Sequence, residues 1–114
     1  MARMRKFKFE RLEVWDLSLE LIDEMYAVAE RLPSKERFNL AQQLRRAATS
    51  ISLNVAEGST GQSDPEQSRF LGLAIRSLIE TEACLRLVAR NGYLDDSGML
   101  ARANETCHNL ARKL

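Results

Sequence analysis

Arginines, two cysteines with a lone histidine, and scattered carboxylates are the groups able to do chemistry in this 114-residue chain. Arg45 and Arg46 stand side by side, and Arg3, Arg5, Lys6 and Lys8 crowd the amino terminus. A guanidinium holds phosphate through a planar, bidentate fork, and arginine outnumbers lysine by 13 to 4. Arg45, Arg46 and the terminal Arg3, Arg5, Lys6 and Lys8 are therefore the candidates for contacting nucleic-acid phosphates. Against this, the isoelectric point of about 7.8 falls short of the basic footprint above about 9 typical of such domains. No recognition-helix motif or RNA-binding aromatic signature is present. Arg45 or Arg46 could equally bridge the acidic first helix of a neighbouring subunit.

Catalysis and metal binding find little to work with. His108, the sole histidine, follows Cys107 directly, and adjacent helical residues point about 100° apart, so the pair does not converge on one ligand. Cys84 lies 23 residues upstream of Cys107, with no Cys-x-x-Cys spacing. Cys107 falls on an apolar stripe and reads as a small core residue. Glu80 and Glu82 are two apart and cannot face each other on a helix. Glu57 and Glu82 suit a structural role as half-buried partners of Arg45 or Arg76. The GSTGQS stretch lacks the lysine and spacing of a phosphate loop. The expectation is a protein with no catalytic residue, metal or cofactor, and with neither cysteine in a disulfide.

Seventeen basic residues nearly cancel sixteen acidic ones, giving a formal charge of +1, and 45% of the chain is hydrophobic. That balance argues against disorder, and the length is that of one domain. The charge is unevenly spread. Residues 1–11 carry five basic groups against Glu10, whereas residues 12–32 carry six acidic groups against Arg31. A basic arm before an acidic helix suits nucleic acid or electrostatic pairing with a neighbouring subunit; a solvated arm and a solvated face is the plainer alternative. No apolar run is long enough to span a membrane, and the amino terminus lacks the apolar core of a signal peptide. Together these features describe a small cytoplasmic protein, with a flexible basic arm at 1–8 and one domain at 9–114.

Four segments with helical periodicity would position these groups. In residues 12–32 polar positions recur at helical spacing opposite a broad apolar side containing Trp15, Leu21, Met25 and Tyr26. The second helix starts at about Ser34 or Asn39 and ends at Glu57, with Leu40, Leu44, Ala48, Ile51 and Val55 on one stripe. Its small residues Ala41, Ala47, Ala48, Ser50, Ser52 and Ala56 allow close approach of another helix, in the same subunit or another. The third starts with Asp64 as N-cap, Pro65 in first position and Gln67 completing a capping box, and stops before Gly92. Its apolar residues fill two stripes, Leu71, Ile75, Leu78, Leu85 and Val88 beside Phe70, Leu73, Ala74 and Leu87. The fourth begins near Asp96 or Ser97, with Leu100, Ala103, Cys107, Leu110 and Leu114 in line. Such helices, joined by short loops, predict an all-α antiparallel up-down-up-down four-helix bundle. The excess apolar width of the first and third helices predicts self-association. Asn54 is placed to cap or to hydrogen-bond across a junction.

Residues 12–33 (LEVWDLSLELIDEMYAVAERLP), 40–59 (LAQQLRRAATSISLNVAEGS) and 69–94 (RFLGLAIRSLIETEACLRLVARNGYL) resemble, in order and spacing, the four-helix bundle family named after ribosomal RNA intervening sequences. The most specific pieces are LEVW at 12–15, QLRRA at 43–47 and NVAEG at 54–58. The similarity runs from Phe9 to about Leu94; beyond that, only the helical pattern agrees. Leu53 stands where the family usually has a proline, which implies a straighter second helix here. The resemblance implies a bundle that assembles into a homo-oligomeric ring, usually a pentamer, with no enzymatic role to carry over. A bundle related to that family is the accessory variability protein of diversity-generating retroelements, which is similar to a basic-surfaced pentamer that contacts a reverse transcriptase and nucleic acid. The implied role is a scaffold for a nucleic-acid-processing protein or for nucleic acid itself.

Overall fold

In the computed structural model, which describes residues 4, 5, 7–60, 63–94 and 97–114, the chain forms four α-helices: α1 (Glu13–Glu30), α2 (Leu40–Gly58), α3 (Asp64–Arg90) and α4 (Ser97–Lys113). α2 and α3 run in opposite directions. Along α2 and α3, Gly58 meets Phe70, Ser50 bonds Ser77, Arg46 pairs with Glu80, and Glu36, just before α2, accepts from Tyr93, just after α3. Lys113 at the end of α4 reaches Glu13 at the start of α1 (3.2 Å), and Asn104 of α4 donates to Glu82 of α3. Among the described residues no helix is long and apolar enough to cross a membrane.

Local chemistry sets the helix ends, and two differ from the sequence expectation. Ser63, not Asp64, caps α3: its backbone is extended, and its hydroxyl accepts from the Glu66 N–H at 3.3 Å. Pro65 is thereby the second helical residue, and the Gln67 N–H donates to the Ser63 carbonyl (2.9 Å) instead of closing a box with Asp64. Asp64 serves the first turn, where the helix dipole favours a carboxylate. The two candidate starts of the second helix both exist. Ser34–Glu36 form a 3-10 turn, and α2 proper begins after Asn39. Asn39 does not cap with its side chain; it donates to Glu36 Oε1 (2.9 Å), which also accepts from the Leu40 N–H at 3.5 Å. At the far end of α3, Gly92 adopts φ +65°, and the bonds Gly92 N–H to Ala89 O and Tyr93 N–H to Val88 O close the helix as the glycine predicts. Of the two starts offered for α4, Ser97 is its first residue, and Asp96 lies outside the described residues.

The core draws on all four helices. Leu21, Met25 and Val28 meet Leu44, Ala48, Ile51 and Val55, together with Ala74, Leu78 and Val88, and Ala103, Cys107 and Leu110. The whole predicted stripe of α2 is buried, and so are Ala41, Ala47 and Ser52. The small residues of α2 therefore serve packing within one chain, with α1 on one side and α3 on the other. Ser50 is half-buried in a polar chain between helices, in which Ser77 donates to Ser50 Oγ (2.9 Å) and Asn54 donates to both oxygens of Ser50. Asn54 itself neither caps α2 nor crosses to α3: both its bonds run one turn back along α2 to Ser50, and Ser77 makes the bond between the helices. Trp15 is half-buried, with the Phe9 ring against it edge-on at 4.6 Å. α2 runs unbroken through Leu53.

Candidate interaction surface

The broad apolar sides are not fully consumed by the core. Ile75 and Leu87, assigned to buried stripes from the sequence, are exposed, as is Ile79. Each rotates away from the Ala74–Thr81–Val88 line that faces the interior, because the bundle takes up one sector of α3 and the second apolar stripe overlaps its rim. Another set of exposed apolar groups gathers around α2. Phe38 (81% exposed) sits just before α2, Leu53 (55%) projects from its outer side, and Tyr26 (41%) rises from α1 beside them. These three, with Arg37, Arg45 and Arg46, border a groove of about 580 Å³ on the outer face of α2.

The arginines of this groove are in different electrostatic states. Arg46 donates to Glu80 of α3 at 2.8 Å, an ion pair within the chain. Arg45 lies over the Tyr26 ring (5.8 Å to its centre) and Arg37 over Phe38 (5.2 Å). Stacking leaves a guanidinium charge uncancelled, and among the described residues neither Arg37 nor Arg45 has a carboxylate in ion-pair range. Lys8, of the remaining candidate cations, lies away from the groove. Arg3 and Lys6 lie outside the described residues. Arg5 is exposed, and Lys8 opens a 3-10 turn (Lys8–Arg11) that packs beside Val55 and Gly58. Gly58 is thirteen residues beyond Arg45, or about 20 Å along the helix.

Elsewhere the reactive groups are engaged or suppressed. Cys84 and Cys107 are free and buried on different helices. Burial pushes both thiols up, Cys107 to about 12 with Glu82 and Glu24 adding to the shift; that is the reverse of what an attacking thiolate needs. His108 points to solvent. Glu82 is half-buried as expected, but its partners are Arg86 (3.3 Å) and Asn104, not Arg45 or Arg76, because Arg86 is one helical turn away. Glu57 is exposed. Burial also raises the Glu24 carboxyl, opposed by a hydrogen bond from Thr106, and one oxygen each of Glu24 and Glu82 is buried without a partner. Hydrogen bonds from Tyr93 (2.5 Å) and then Asn39 hold the Glu36 carboxyl below its usual range.

Phe38 and Arg37 escaped sequence reasoning because they lie outside any periodic segment. Leu53 carried a usable signal: two residues from Ile51, it stands about 200° around the helix from the core stripe.

The bundle is similar to the crystal structure of a protein with unknown function from the S23 ribosomal protein family of Bacteroides thetaiotaomicron, with a TM-score of 0.77 and 26% identity, covering 87% of this chain and 88% of that one. No curated protein matches the chain. The sequence model of the 23S rRNA-intervening sequence proteins matches residues 10–114, reaching through α4 beyond the Leu94 limit of the residue-by-residue resemblance. The chain therefore belongs to the 23S rRNA-intervening sequence protein family.

Proposed function

We propose that this protein is a non-catalytic assembly module: copies associate through their outer helix faces into a ring, five-membered as the family resemblance implies, that scaffolds a protein or nucleic-acid partner in the cytoplasm. The observation that carries this reading is the exposed apolar surface around α2, where Phe38 and Leu53 stand open beside Tyr26. Contiguous apolar patches of this kind mark interaction sites in folded proteins. The suppressed thiol of Cys107 favours a structural chain over a catalytic one, and buried free thiols suit a reducing compartment. Phosphate binding as the primary activity has weaker support, since Arg46 is paired with Glu80 and Lys8 packs at the far end of α2 from Arg45. Size-exclusion chromatography with light scattering tests assembly. The expected mass is five times 13.0 kDa; a single-chain mass at every concentration overturns the reading.

A further inference from the structure

The groove on α2 is lined by exposed apolar groups (Tyr26, Phe38, Leu53) and by two cations without an ion-pair partner among the described residues (Arg37, Arg45). Its chemical complement is a helix that presents an aliphatic side chain between carboxylates. Such a helix exists in the chain itself. On the outward side of α1, Leu19 is 39% exposed, with Asp16 one turn before it and Asp23 one turn after, both exposed. Among the described residues neither aspartate has an ion-pair partner, whereas Glu13 at the end of the same helix is paired with Lys113.

We infer that α1 of a second copy docks in this groove, setting Leu19 against Phe38 and Leu53 and placing Asp16 and Asp23 on Arg37 and Arg45. The two surfaces are complementary in charge. Each surface carries uncompensated charge of one sign around exposed apolar area, and joining them buries the apolar groups while cancelling the charges. The chain's own α1 cannot fill the groove. It already packs beside α2, where its Tyr26 lines the groove, and Leu19 lies one heptad before Tyr26, exposed and outside the lining. Every chain thus carries one groove and one acidic ridge. The inference rests on the assembly reading and specifies its interface.

Charge reversal tests it. The double variant Arg37→Glu with Arg45→Glu, and separately Asp16→Arg with Asp23→Arg, should each lower the mass by light scattering to 13.0 kDa while circular dichroism stays helical. All four substitutions in one chain should restore the wild-type mass, because the reversed charges again attract; rescue also excludes misfolding as the cause of dissociation. If both double variants remain assembled, the interface lies elsewhere and this inference fails while the assembly reading stands. Dissociation without rescue in the fourfold variant also overturns the pairing of these faces. A single-chain mass for the wild type defeats the assembly reading itself. If a synthetic single-stranded oligonucleotide dissociates the wild-type assembly, and the groove variant no longer binds it, the groove belongs to nucleic acid and the inference is overturned.

Discussion

Leu44 and Leu53 share one helix and one side chain but differ completely in environment, so replacing each with alanine separates the packed interior from the assembly face. Leu44 is fully buried, at 0% exposure. Leu44→Ala removes its transfer free energy and leaves a cavity, at a cost of about 3–5 kcal/mol. Against a total stability of about 6–17 kcal/mol for a chain of this length, that is a large loss. Leu53 is 55% exposed within one chain. Complete burial of a leucine stabilises by about 1.5–3 kcal/mol, so Leu53→Ala should cost a lone chain about 1 kcal/mol. Association that covers Leu53 adds the remainder, and that part depends on protein concentration by mass action. Urea denaturation followed by circular dichroism, at concentrations about a hundredfold apart, should give Leu44→Ala a similar loss at both. Leu53→Ala should lose little when dilute and more when concentrated. Equal, concentration-independent losses for the two variants would refute both the burial assignment and the assembly face.

Three further outcomes follow from the buried and bonded titratable groups. The folded Glu24 carboxyl holds its proton above the ordinary 4.5, so ionisation costs stability as pH rises through the raised value; Glu24→Gln should therefore raise the urea midpoint at neutral pH and lose that advantage in acid. Glu36 behaves oppositely: its stabilisation is present above 4.5 and disappears as pH falls through the lowered value, so Tyr93→Phe, which removes the main cause, should flatten the pH dependence of stability in that acid window. Cys84 and Cys107 should react with an aromatic disulfide reagent no faster than the chain unfolds, as mass spectrometry of timed samples would show; rapid labelling of either thiol in the native state would contradict their burial.

The helices and most of the core were legible because their signals are local. The Leu40–Val55 stripe of α2 and the Gly92 stop both follow from spacing and backbone preference. Cap register was less so: Ser63 and Asp64 are both good caps, and which one wins depends on the extended backbone at Ser63. The partners of charged groups were the hardest to read. Arg46 and Glu80 are 34 residues apart and meet only because α2 and α3 run antiparallel in one particular register. The groove was half-visible, since Arg45 and Arg46 stood out by type and Leu53 by its helical angle. Phe38 did not, because its exposure is set by the connection between two helices and not by any periodic pattern.

Small-angle X-ray scattering over a dilution series addresses the central claim most directly, since it reports mass and dimension in solution together. A single chain has a Cα radius of gyration of 14.8 Å and extents of 44 × 34 × 24 Å. Assembly through the α2 face gives a forward-scattering mass of several chains and a radius of gyration well above 14.8 Å that persists on dilution. A radius close to the single-chain value, with a mass of 13.0 kDa at every concentration, would contradict it.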